Sequence, residues 1–387
     1  MITSATDAPH WAQREPFRIL FPIGILCAWV GVGQWLMFGL GLSPSYASIP
    51  HAIIQVQGFL TAFVLGFLFT AIPRRMQTPP PSFSQLSVAA LAPLVVTGAA
   101  VTESFVLAEA AWIAAAMSFV WFGITRVRGA RRAPPVTFLW IPVGFLYGVT
   151  GSAILIWVMT HPFASSWLHA LGRSLLLQGF ILSLVVGVGG MVVPLIVYKD
   201  PPPDMTALPS PRRAAALHGL AMKGLALTFL VETFYSLPIA LALRGLVCGA
   251  LLIIGTRLWR LPNVAGWHRK LIWIATWAIP IGYIAASILP HAVKGALHIV
   301  FIAGLALITL AVSAHVSLAH GGREDLVHAP LRAAALIGVG IGGAVACRLL
   351  VDLDPIHFNR WLALGSAAFL CASFAWLALI LQIKRPT

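Results

Sequence analysis

Along most of this chain the apolar residues neither alternate nor recur on a single face. They fill unbroken stretches long enough, at 1.5 Å per residue, to cross a bilayer. Such a stretch has no polar face to offer water, so each reads as a membrane-spanning helix and not as the surface helix of a soluble domain. Twelve are expected, over residues 17–42, 47–72, 86–102, 105–126, 138–160, 166–196, 213–231, 236–256, 271–289, 291–317, 331–351 and 360–383. The gaps are short, with Pro-rich loops such as 201–211 among the longest, and leave no room for a soluble unit. The fold class is therefore all-α: a polytopic membrane helix bundle forming one integral membrane domain over residues 1–387. The first apolar run follows a polar start of 16 residues, is too long for a cleaved signal and lacks its small-residue pattern, so it is expected to remain as the first helix.

Composition agrees with this reading: 59% of the residues are hydrophobic, 9% are charged and the mean hydropathy is +0.91. The net charge of +14 invites a nucleic-acid partner, but its distribution excludes one. Of the 25 Lys and Arg, 19 sit in the tails or in alternate loops, from Arg14 and Arg18 through Arg74, Arg75, Arg126 to Arg132, Lys199, Arg212, Arg213, Arg257 to Lys270, Arg323 and Arg332 to Lys384 and Arg385. The opposite loops hold mainly Glu103, Glu109, Glu232, Asp352 and Asp354. The positive-inside bias then places both termini in the cytoplasm, with lipid and not nucleic acid as the partner. Four scattered cysteines without C-x-x-C spacing suggest packing.

Self-similarity organises the spans. Gln57-Gly58-Phe59 with Gly66 and Pro73 recurs as Gln178-Gly179-Phe180 with Gly187 and Pro194, every interval preserved at an offset of 121 residues. Pro22-Ile23-Gly24 parallels Pro142-Val143-Gly144, and Pro280-Ile281-Gly282, followed by Gly304, opens a weaker third copy. Three four-helix pseudo-repeats are expected, over 14–132, 133–262 and 263–387. Isolated glycines that let membrane helices approach closely are the simpler explanation of any one match.

The chemistry lies in histidines near the span ends, while the eleven carboxylates are read as lying outside the spans. A neutral imidazole tolerates hydrocarbon and is a common ligand for haem iron or copper, whereas a proton- or sodium-driven carrier would normally carry a mid-membrane Asp or Glu. His51, His169 and His298 open the second helix of each unit and form the expected outer metal or haem set. His169 with Arg173, and Lys294 with His298, are four residues apart and share a helix face, which suits an axial imidazole with cations for the haem propionates. Simple snorkelling of Arg173 and Lys294 to the interface would explain the same pairs. His291 lies on the His298 stripe, and His315 with His320 forms a weaker inner metal site, to which His218 and Lys223 could add. His10, His268, His328 and His357 are expected in tails or loops without chemistry. The G-x-G-x-x-G match at Gly338 to Gly343 falls inside a span and reads as helix packing, not a dinucleotide site. No phosphate loop, nucleophile elbow or H-E-x-x-H motif occurs.

Four stretches together resemble the NnrS family: Glu15 to Gly24, His51 to Arg75, Leu171 to Leu195 and His298 to Arg323. The family's His-Ala...Gly-Phe motif matches His51, Ala52, Gly58 and Phe59, and its Leu-x-His-x-Gly element matches Leu318, His320 and Gly322. The resemblance implies a haem- and copper-containing protein of the bacterial inner membrane, linked to denitrification and the response to nitric oxide. Two departures bear on the ligand set: Ile53 and His315 stand where many members carry a second histidine and an arginine. The expected function is therefore binding of b-type haem, with copper as a possible second metal, in nitric oxide response, detoxification or reduction. An NO sensor or binding protein, or a small-molecule transporter, is the rival. The electron donor is left open.

Overall fold

A computed structural model describes residues 9–329 and 331–383; Lys384 and Arg385 of the expected basic tail lie outside them. Twelve helices are long and apolar enough to cross a membrane, and no strand occurs among the described residues. In chain order they are α1 (Phe17–Gly39), α2 (Ser48–Met76), α3 (Phe83–Val101), α4 (Phe105–Arg128), α5 (Val136–Thr160), α6 (Ser166–Tyr198), α7 (Pro211–Phe234), α8 (Leu237–Ile254), α9 (Trp267–Ile288), α10 (Pro290–His320), α11 (Arg332–Leu353) and α12 (Pro355–Ile380). The protein is thus a multi-pass membrane protein.

The most buried spans are α2 and α6, with 78% and 83% of their most apolar windows inside the bundle, against 17% for α7. The recurring glycines explain how neighbours reach these central helices. Gly24 of α1 lies against Phe63 of α2, Gly144 of α5 against the Phe180 carbonyl of α6, and Gly282 of α9 against the backbone N–H of Val300 in α10. A methyl group added at Gly24 would fall 2.5 Å from the Phe63 ring, so the contact needs a residue without a side chain. Gly66, Gly187 and Gly304 return the contact, meeting Phe21, Trp140 and Ile279. Reciprocal glycine contacts of this kind therefore join α1 to α2, α5 to α6 and α9 to α10.

A second recurrence was not visible in the composition of the spans. The α2, α6 and α10 helices each pass through a π-helical stretch, at Ile54–Leu60, Leu175–Phe180 and Ile299–Ala306. A π turn inserts a residue into the helical ladder and rotates the faces that follow, a device often found at functional sites. In α2 and α6 it turns Gln57 and Gln178 into the bundle. Both helices then end on a left-handed residue, Gln77 or Lys199, whose N–H donates to the carbonyl of Pro73 or Pro194.

The basic loops gather at one end of the bundle. Asp204 pairs with Arg75 and Arg132, Arg126 donates to the carbonyls of Pro79 and Pro80, and Asp200 faces Arg257 and Arg260. Arg74 reaches Glu15, and Arg323 donates to the Gln382 carbonyl, so the first and last spans both meet this end. The G-x-G-x-x-G segment lies inside α11, with Gly338 against Leu271 of α9 and Gly340 against Ala368 and Ala372 of α12. Its role there is helix packing.

Candidate functional site

At the end opposite the basic loops, α2 and α10 bring two of the expected histidines together. His51 Nδ1 is 3.0 Å from the Gly31 carbonyl of α1, and His298 Nδ1 is 2.6 Å from the Lys294 carbonyl one turn back. A carbonyl can only accept, so each Nδ1 carries the proton and each Nε2 keeps its lone pair. Neither Nε2 has a protein partner among the described residues. The two rings lie within electrostatic reach of each other and of Arg348 on α11. Trp35 flanks His51 with ring centroids 5.3 Å apart, and Tyr46 lies against Trp35 at 4.6 Å with its ring tilted by 57°.

The turn that carries His298 is held by residues the sequence reading missed. Asp352 accepts from the Gly295 N–H at 2.6 Å and from Arg348 at 3.1 Å, tying the start of α10 to α11. A side chain at Gly295 would press on the Asp352 carboxylate, which explains the glycine. The available signal was the Arg348/Asp352 spacing of four at the end of an apolar run.

Several expected members are not brought to this pair. His169 and Arg173 are exposed on α6, and Arg173 is the charged group nearest His169. The convergent trio of His51, His169 and His298 is therefore a pair. Both histidines precede the π turn of their helix, but at the offset of 121 residues the counterpart of His51 is Gly172, so His169, three residues earlier, projects from a different face. His291 is exposed in the short turn before α10 proper, and Lys294 is exposed beside the pair.

The basic end holds a different histidine pair from the expected one. His268 is buried at the start of α9, and its Nε2 lies 3.0 Å from His315 Nδ1 of α10. The expected start of this span at residue 271 left His268 in a loop; the helix in fact begins at Trp267. Gly266, at φ +121°, makes the turn, and a side chain there would meet the His268 ring. His320 is exposed near Phe17 and Arg74, within electrostatic reach of His315 but not hydrogen-bonded to it. His218 is instead taken up by Trp140, whose Nε1 donates to it at 3.0 Å, and Lys223 is exposed. The His268 and His315 nitrogens face each other at hydrogen-bond distance, so one imidazole donates to the other. Among the described residues no three His, Cys, Asp or Glu side chains form a metal-binding group.

The carboxylates also correct the sequence reading. Glu109, Glu232 and Asp352 lie inside α4, α7 and α11, and Glu109 is 1% exposed. Glu109 Oε2 accepts from Gln57 Nε2 at 2.7 Å and from Ser152 Oγ at 2.5 Å. Glu232 accepts from Arg244 at 2.6 Å and from Ser174 at 2.6 Å, and Arg244 also donates to Gln178 and Thr228 while lying over the Phe229 ring. Arg244, fully buried, was passed over although it interrupts an apolar run. Between α2, α6 and α10 lies an apolar cavity of about 80 Å³, walled by Leu60, Phe67, Val188, Val192 and Val312. No histidine reaches it.

A twelve-helix membrane bundle with paired imidazoles at both ends and charged residues sealed within it is the class of protein these features define. The sequence profile of the NnrS protein family matches residues 12–384, nearly the whole chain, and the chain belongs to that family, which is associated with the response to nitric oxide. No curated protein sequence matches it.

Proposed function

We propose that this protein binds b-type haem at the His51–His298 end and acts on nitric oxide in the bacterial inner membrane, with its basic end and both termini in the cytoplasm. The observation that carries the reading is the tethering of both imidazoles through Nδ1 to backbone carbonyls, which leaves two Nε2 lone pairs free on adjacent helices. This is how proteins hold imidazoles for a metal: the second nitrogen is bonded so that tautomer and ring orientation are preset. Arg348 and Lys294 supply cations for propionates, and Trp35 with Tyr46 supplies an aromatic wall. The cavity between α2, α6 and α10 is smaller than the roughly 150 Å³ space that takes a benzene ring and is lined by no histidine, so it is not where a porphyrin would be held. Bound haem supplies an iron atom with affinity for nitric oxide, and a copper ion would draw on the same few imidazoles. The chain itself fixes the two rings, balances the propionates and offers an uncharged gas an apolar surround.

A reduced-minus-oxidised visible spectrum with metal analysis of the purified protein tests this. A haem b signal is expected, weakened by at least half in His51→Ala or His298→Ala and unchanged in His169→Ala. A colourless, metal-free preparation that is still active would overturn it. Consumption of nitric oxide with a reductant distinguishes an oxidoreductase from a sensor, and substrate flux in vesicles would mark a transporter.

A further inference from the structure

Glu109 is a buried carboxyl without a counter-charge. It sits in α4, and its partners come from the two helices that close over it, Gln57 of α2 and Ser152 of α5. All three side chains are 1% exposed or less. Among the described residues no Lys, Arg or His pairs with Glu109, and none is in electrostatic contact with it. An ionised carboxylate taken out of water and left unpaired is among the costliest groups a membrane interior can hold, and such groups shed the charge instead.

We propose that Glu109 is a proton-binding site inside the bundle, its carboxyl held neutral and able to release and regain one proton. Its partners suit both states. The Ser152 hydroxyl can donate to a carboxylate or, turned, accept from a carboxylic acid. The Gln57 amide can do the same by reversal, and its Oε1 is now a buried acceptor with no partner. Protonation is CO₂⁻ plus H⁺ giving CO₂H, with no other bond made or broken. A sodium ion fits less well, because three side chains offer fewer oxygens than a dehydrated cation requires. The histidines lie apart from this site: among the described residues the partners of Glu109 are Gln57 and Ser152 alone, whereas His51 and His298 bond to carbonyls and His268 to His315. The inference stands apart from the haem reading, since Glu109 touches none of those residues.

Infrared spectroscopy of the full-length protein in lipid nanodiscs at neutral pH tests it. A protonated-carboxyl band, shifted by deuterium and by ¹³C-glutamate, is expected in the unmodified chain and is expected to be lost completely in Glu109→Gln. The isotope shift assigns the band to a glutamate without any variant. Absence of the band, its persistence in Glu109→Gln, or its appearance only after sodium is replaced by choline would each overturn the proposal.

Discussion

Glu232 faces the guanidinium of Arg244 at 2.6 Å, whereas Glu109 meets only an amide and a hydroxyl. Glu109 bonds directly to Gln57 and Glu232 is joined through Arg244 to Gln178, the glutamines of the same repeated Gln-Gly-Phe motif, each in a π-helical stretch. The backbone device is shared and the electrostatics are opposite. In one copy the buried Arg244 is paired with the half-buried Glu232, each guanidinium nitrogen donating to Thr228, Gln178 or Glu232. In the other a single acid is sealed without a cation. The difference shows that a repeated helical frame can keep a polar position while the partner chain segments decide whether charge survives there.

Removing one partner of the ion pair is the severest way to break the contrast. Glu232→Gln leaves the Arg244 guanidinium buried without a counter-charge and should cost about 3–5 kcal/mol, read as a large fall in thermal stability in detergent. Replacing both, as Glu232→Gln with Arg244→Met, should recover much of that loss, because no charge is then left buried without its partner. A double variant no more stable than the single one would show that the pair contributes little and that packing around Phe229 matters more.

Glu109→Gln, by contrast, exchanges a neutral acid for a neutral amide of the same size and should cost about 1 kcal/mol or less in the same assay, near the net worth of one hydrogen bond. A loss as large as that of Glu232→Gln would mean that Glu109 carries a charge the bundle depends on. The smallest effect is expected at Asp354, outside the spans. There Trp361 and His357 hydrogen bonds hold the carboxyl below the ordinary carboxylate range. A depressed folded-state value means this contribution is present above the unfolded-state value near pH 4 and is lost as pH falls through the folded one. Asp354→Asn should therefore lower stability slightly at neutral pH, flatten the acid side of the profile and match the unmodified chain at low pH, where the carboxyl is already protonated.

How far the site could be read in advance follows from the same contrast. Pro22-Ile23-Gly24 and its two counterparts were legible because a close helix approach leaves a chemical trace, a residue without a side chain, at a fixed spacing. His51 and His298 were legible as polar residues at the edge of hydrocarbon. The exclusion of Glu109 from the spans was wrong: it lies five residues into α4 and deep in the bundle. His268, one residue inside α9, was assigned to a loop, and His169, expected with His51, is exposed on α6. These misses share a cause. Spans that are apolar on every side carry little periodicity, so the sequence gives their length and not their rotation.

Hydropathy over twenty-residue windows thus determined the number of spans, because hydrocarbon thickness sets length and the cost of unpaired backbone groups demands helix. Tertiary structure alone decided which imidazoles face one another, which carboxyl has a cation and which does not. Those outcomes depend on helix rotation and on partners 43 to 95 residues away in the chain, as in the Glu109 trio, and no local window contains them.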